Sequence, residues 1–133
     1  MRAYHGTTIG KIHSTLAGTS SRFSGLYVTD TLERAQLYAD AQASRMVETD
    51  VRRVSGSAVM ALEVPETRWM HRENSTSLDV VEAVVDEWQI INVTVYATGY
   101  QVRKALVKID GRYVNPFEFL KERLGDKLTV IIN

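Results

Sequence analysis

The chain has 133 residues, of which 44% are hydrophobic, so it can bury one core but is too short for two domains of ordinary size. We therefore expect a single domain over residues 1–133. Sixteen basic and sixteen acidic residues give a formal net charge of zero, so no overall field attracts the protein to nucleic acid. The lack of cysteine excludes a thiol nucleophile, a disulfide framework and a cysteine-ligated metal site.

Neither a metal site nor a membrane span is expected. The three histidines, His5, His13 and His71, lie far apart without ligand-like spacing, which argues against zinc. No apolar run approaches the roughly 18 residues of a spanning helix, and the first residues lack the apolar core of a secretory signal. These observations favour a soluble, cytoplasmic protein.

The first elements are short. Residues 1–4 are predicted to form a strand that breaks at Gly6, and residues 9–16 a short helix that leads to a polar surface loop. Residues 25–29 are predicted to form the next strand.

A longer helix is predicted to begin at residue 30 and to run to about Met46. Asp30 and Glu33 have the spacing of a capping box, in which each side chain satisfies an amide of the first turn. Helical periodicity places four apolar residues on the buried face: Leu32, Ala35, Ala39 and Ala43.

The second half of the chain is predicted to be rich in strands. Residues 58–64 form a strand stopped at Pro65, and further strands cover residues 90–96 and 128–132. Residues 105–114 carry a hairpin signal, because their central Asp-Gly pair suits a type I′ turn.

Two further segments complete the sequence-based assignment. A compact helix is predicted over residues 117–124, after Pro116 and before Gly125. Residues 75–88 are ambiguous, since their apolar residues recur at helical spacing while their valines favour a strand. The whole is an α+β chain with more strands than helices.

The first candidate for chemistry is the segment Tyr4-His5-Gly6-Thr7 at the end of a predicted strand. It offers a polar ring, a closely approachable backbone and a hydroxyl, which together could hold a planar carboxamide. Taken alone, the segment is also compatible with an ordinary turn that carries a solvated histidine.

The second candidate is a pair of tyrosines, Tyr27 on a strand and Tyr38 on the helix that follows. Two aromatic faces could sandwich a flat heteroaromatic ring, and a cationic nicotinamide would be attracted to them further. Considered separately, each tyrosine is equally typical of core packing.

In order and spacing, the two motifs together resemble those of the diphtheria-toxin-like and poly(ADP-ribose)-polymerase-like ADP-ribosyltransferases. The resemblance covers roughly residues 4 to 96. Residues 27–32 and the alanine-rich helix after them are also similar to the small bacterial rifampin ADP-ribosyltransferases. The resemblance implies the split β-sheet sandwich of that family with a few flanking helices, and NAD as the substrate without a metal.

The family's site residues can be assigned to matching positions. By resemblance, His5 would hydrogen-bond the adenine ribose, Gly6 would hold the nicotinamide carboxamide through its backbone, and Thr7 would support the ribose. Tyr27 and Tyr38 would bracket the nicotinamide ring.

The sequence departs from the polymerase pattern at residue 35. Ala35 stands where that branch has a serine, which removes one expected hydrogen bond to nicotinamide.

The third catalytic residue is expected to be an acid. Loss of nicotinamide passes through an oxocarbenium-like ribose that a nearby carboxylate stabilises. In a strand, Glu82 would be the one charge in an apolar run, and its Glu-x-x-Val context resembles the strand of the polymerase glutamate, although the following glutamine is one residue closer. In a helix, Glu82 would be an ordinary exposed acid, and Glu73, Asp79 or Glu87 would take its place.

These observations predict a mono-ADP-ribosyltransferase with His5, Tyr27 and Glu82 as catalytic residues. The acceptor is unknown, with a protein favoured over nucleic acid because the net charge is zero. Two alternatives stay open: an NAD glycohydrolase toxin, and a non-catalytic binding module on the same fold. The resemblance further implies a toxin or effector in the cytoplasm of a bacterial, phage-infected or host cell, with a cognate antitoxin or immunity protein as an optional partner.

Overall fold

The computed structural model describes residues 1–16, 25–47, 56–66, 69–73 and 79–132. Within these ranges the chain is mixed α/β, with a mostly antiparallel sheet of seven strands, a two-stranded hairpin and few helices. The elements in chain order are β1 (Arg2–Thr8), α1 (Ile12–Leu16), β2 (Leu26–Thr29), α2 (Leu32–Val47), β3 (Ser57–Glu63), β4 (Met70–Glu73), β5 (Asp79–Val85), β6 (Gln89–Ala97), α3 (Gly99–Lys104), β7 (Val107–Ile109), β8 (Arg112–Val114), α4 (Pro116–Leu124), a 3₁₀ turn (Gly125–Lys127) and β9 (Leu128–Ile132).

The large sheet has the strand order β4-β5-β2-β1-β3-β6-β9. Neighbouring strands are antiparallel except for β6 and β9, which run parallel. Helices contribute to buried clusters on both faces. Phe117 and Leu120 of α4 join the main core, which contains Met60, whereas α2 packs on the adjacent Val59. Because successive strand residues point to opposite faces, α2 covers the face opposite the main core.

Several sequence-based predictions are confirmed. The predicted strands at residues 25–29, 58–64, 90–96 and 128–132 correspond to β2, β3, β6 and β9. The hairpin is β7–β8, and its turn residues Asp110 (φ 51°) and Gly111 (φ 80°) both have the positive φ of a type I′ turn. The ambiguous segment forms β5 from Asp79 to Val85, while residues 74–78 lie outside the described residues.

The prediction that the first strand breaks at Gly6 is wrong. β1 continues to Thr8 and pairs with β3 along its whole length, with Gly6 opposite Val59. The glycine serves a different purpose, because a Cβ at this position would overlap the backbone carbonyl of Ala35 and lie 3.1 Å from the amide nitrogen of Ala39. Gly6 therefore lets α2 lie directly on the sheet.

The start of α2 also differs from the prediction. The hydroxyl of Thr31, rather than the Asp30 carboxylate, accepts from the backbone amide of Arg34 at 3.3 Å. Asp30 instead forms an ion pair with the Arg34 guanidinium at 2.8 Å. Ala35, Ala39 and Ala43 are buried as expected, but Leu32, the first residue of α2, is 50% exposed.

Other differences are local. The predicted helix at residues 9–16 begins only at Ile12, because residues 9–11 form a turn in which the Lys11 amide donates to the Thr8 carbonyl at 3.1 Å. The sequence-based assignment lacks β4 and also α3, whose capping box joins Thr98 and Gln101. The helix after Pro116 is confirmed, with Asn115 as its N-cap.

We expect Gly6→Ala to destabilise the protein by about 1–3 kcal/mol, because the added methyl forces α2 away from β1. Gly99→Ala is the matched control, since a Cβ there meets only the end of the Arg103 side chain, at 3.4 Å. Urea unfolding should show a lower midpoint for Gly6→Ala and no loss for Gly99→Ala. A wild-type midpoint for Gly6→Ala would contradict the close packing of α2.

Candidate functional site

The sheet opens between β1 and β2. The register of these two strands contains a single pair, Tyr4 with Thr29, whereas β1 is paired with β3 at all seven of its residues. Next to this opening lies a cleft of about 320 Å³ beneath one side of α2. Its lining residues are Tyr4, His5, Gly6, Tyr27, Val28, Thr29, Tyr38, Gln42 and Glu82.

The His5 ring spans the opening. Its Nδ1 lies 2.7 Å from the backbone carbonyl oxygen of Tyr27, and because a carbonyl only accepts, Nδ1 must donate. Burial lowers the pKa of His5 below 6.5, although the bond to Tyr27 acts in the opposite direction. The ring is therefore neutral at physiological pH, and its Nε2 carries a lone pair that can accept a hydrogen bond from a ligand.

Both predicted tyrosines line the cleft from different elements. Tyr27 extends from β2 and is 59% exposed, and Tyr38 extends from α2 and is 42% exposed. Neither residue is buried in the core, so the core-packing alternative does not hold for either tyrosine.

Glu82 also lines the cleft. The Tyr38 hydroxyl donates to its Oε1 at 2.5 Å, a short hydrogen bond to a carboxylate. In the sheet, Glu82 lies opposite Thr29 of β2, so its backbone is held within the β2–β5 ladder. The strand, and not the helix, is thus the correct alternative for this segment, and it brings the acid to the cleft that also contains His5.

The other candidate acids lie at backbone positions away from Glu82. Glu73 and Asp79 form the terminal register pair of β4 and β5, and Asp79 lies three residues from Glu82, about 10 Å along the strand. Glu87 lies in the turn after β5, and it lines a separate shallow pocket with Pro65.

Two other positions that the resemblance singles out, Thr7 and Ala35, do not line the cleft. Thr7 is 5% exposed and is not among the lining residues, so it does not join His5 and Gly6 in forming the cleft. Ala35 is fully buried where α2 meets Gly6. A serine at residue 35 would direct its hydroxyl into this packed contact and not into the cleft.

The sequence-based prediction gave no role to four of the lining residues: Tyr4, Val28, Thr29 and Gln42. Two of them carried a usable signal. Gln42 follows Tyr38 by four residues on a helix, and Thr29 follows Tyr27 by two residues on a strand, so each lies on the same face as a predicted site residue.

The arrangement combines aromatic faces, a neutral imidazole, an amide and a carboxylate. Such a set can hold a flat cationic ring and stabilise positive charge that develops beside it. Within the described ranges, no group of three or more histidine, aspartate or glutamate side chains is arranged to hold a metal ion.

Comparisons of the chain with protein-family models, with curated proteins and with solved structures find no match. Among the helices in the described part of the chain, none combines the length and the apolar character needed to cross a membrane.

We expect His5 to make the protein less stable as the pH falls below about 6.5. Since its pKa is lowered in the folded state, the unfolded chain takes up a proton first, and the free energy of unfolding decreases on acidification. His5→Gln removes this proton uptake while its amide can still donate to the Tyr27 carbonyl. Urea unfolding at about pH 7.5 and about pH 5.5 should show a smaller loss for the variant.

His13 requires a parallel control, because burial lowers its pKa as well, with Asp110 acting in the opposite direction. His13→Gln measures that contribution separately. If wild type and His5→Gln lost equal stability over this pH range, the lowered pKa of His5 would be refuted.

Proposed function

We propose that the protein is a mono-ADP-ribosyltransferase that binds NAD in the cleft between β1 and β2 and cleaves its nicotinamide–ribose bond. The observation that carries the proposal is the convergence of His5, Tyr27, Tyr38 and Glu82 on one cleft from four different elements. The proposal includes the fold, an ADP-ribosyltransferase-like split sheet, and the opening between β1 and β2 supports it.

In this proposal the nicotinamide ring binds against Tyr27 and Tyr38. The pyridinium ring of NAD carries a positive charge, which aromatic faces attract. The exposure of both tyrosines within the cleft supports this role. Gly6 lines the same cleft, and the register of β1 with β2 contains Tyr4 but not Gly6. Both observations support a contact between the Gly6 backbone and the carboxamide.

His5 supplies the ribose contact. With Nδ1 donating to Tyr27, the neutral ring offers Nε2 as an acceptor for a ribose hydroxyl. Its fixed orientation makes it a rigid support for the substrate, because the protein and not the ligand holds the ring.

The reaction breaks the bond between the ribose C1′ and the pyridinium nitrogen, and the bonding electron pair leaves with nicotinamide. Positive charge then develops on the ribose, and the Glu82 carboxylate stabilises it. A nucleophile of the acceptor forms a bond to C1′ and loses its proton. The balanced formal charge of the chain supports a protein acceptor over nucleic acid.

The test is nicotinamide release from NAD by the purified protein, alone and with a cell lysate. Glu82→Gln removes the charge but keeps the shape of the side chain, so we expect release to fall about 10²- to 10³-fold. Binding of NAD, measured as a thermal shift, should persist in this variant, whereas Tyr27→Ala should weaken it.

The matched control is Glu122→Gln, which neutralises an exposed acid of α4 that is not among the cleft residues. It should release nicotinamide at the wild-type rate. A wild-type protein that gives neither nicotinamide release nor an NAD-induced thermal shift would refute the proposal. Release that does not increase with any acceptor in the lysate would identify water as the acceptor and refute the transferase step.

A further inference from the structure

The hydroxyl of Tyr38 performs a task that is separate from that of its ring. We propose that Tyr38 is the positioning residue of Glu82, which it holds in the orientation that stabilises charge on the ribose. This inference rests on the proposed function, which gives Glu82 its catalytic role, but the contact itself can be tested without NAD.

The contact joins two parts of the fold that are distant in sequence. Tyr38 on α2 and Glu82 on β5 are 44 residues apart, and the hydroxyl lies 2.5 Å from Oε1. A hydrogen bond to a charged carboxylate is stronger than one between neutral groups. Holding the carboxylate in one orientation opposes the rotamer freedom of a long acidic side chain.

Both ends of this contact are held by backbone packing. Glu82 is in register with Thr29 on one side and with Met70 on the other, so its strand is paired on both edges. The Tyr38 end depends on α2, which rests on β1 where the backbone of Ala35 meets Gly6. The hydroxyl is therefore delivered from a fixed helix to a fixed strand.

Tyr38 is partly exposed while its hydroxyl is engaged, since 42% of the residue is exposed. Phenylalanine separates the two tasks, because it keeps the aromatic face and removes the donor. A ring that only stacks on nicotinamide predicts that Tyr38→Phe is silent. A hydroxyl that orients Glu82 predicts slower chemistry with unchanged substrate binding.

The experiment compares Tyr38→Phe, Glu82→Gln and the double variant in nicotinamide release, with Tyr100→Phe as the control. Tyr100 is 69% exposed on α3 and is not among the cleft residues. We expect Tyr38→Phe to lower kcat about tenfold or more and to change KM by less than about twofold. The double variant should be no slower than Glu82→Gln, because the hydroxyl acts through that carboxylate. A wild-type kcat for Tyr38→Phe, or a full additional loss in the double variant, would overturn the inference.

Urea unfolding tests the contact independently of NAD. If the hydroxyl holds the carboxylate, the urea midpoint of the Tyr38→Phe/Glu82→Ala double variant will decrease by less than the sum of the decreases in the two single variants. Additive shifts would overturn the inference even if the protein cleaves NAD. Non-additive shifts in a protein that does not cleave NAD would refute the proposed function and leave the Tyr38–Glu82 contact intact.

Discussion

The direct contact of α2 with β1 is the constraint on which the site depends. Gly6 has no side chain, and Ala35 and Ala39 are the fully buried residues above it, so helix and strand approach closely. This distance sets how far Tyr38 can reach over the sheet, and at the observed distance its hydroxyl meets Glu82. A larger side chain at any of the three small residues would raise the helix and carry the tyrosine away from the carboxylate.

The cleft is an interruption of the sheet that leaves the core intact. β1 keeps its full ladder with β3, and β2 keeps its ladder with β5, so the loss of pairing is confined to the seam between β1 and β2. Across this seam the His5 ring supplies a hydrogen bond to the Tyr27 carbonyl. That bond satisfies a backbone acceptor and at the same time determines which imidazole nitrogen carries the proton. The His5 side chain therefore both connects β1 to β2 and presents a defined tautomer to the cleft.

Sequence reasoning predicted the elements whose signals are local. The Asp110–Gly111 turn and the strands near the C-terminus follow from residues adjacent to one another, and the structure confirms them. The extent of β1 could not be predicted in this way, because the reason for Gly6 is a helix 29 positions further along the chain. Similarly, the choice between strand and helix for residues 79–85 depends on β2 and β4, which pair with β5 on its two sides.

The candidate site shows the same division between local and distant causes. A motif can nominate His5, Tyr27 and Tyr38, but a short hydrogen bond between a helix and a strand 44 residues away leaves no local pattern in sequence. By resemblance Tyr38 would bracket the nicotinamide ring, and in the structure its hydroxyl also contacts Glu82 directly. The buried position of Ala35 follows from the same packing: a helix that must lie close to β1 needs a small residue there, which excludes a polar contact to the ligand from that position. The tyrosine hydroxyl one turn later is a polar group that α2 does bring to the carboxylate.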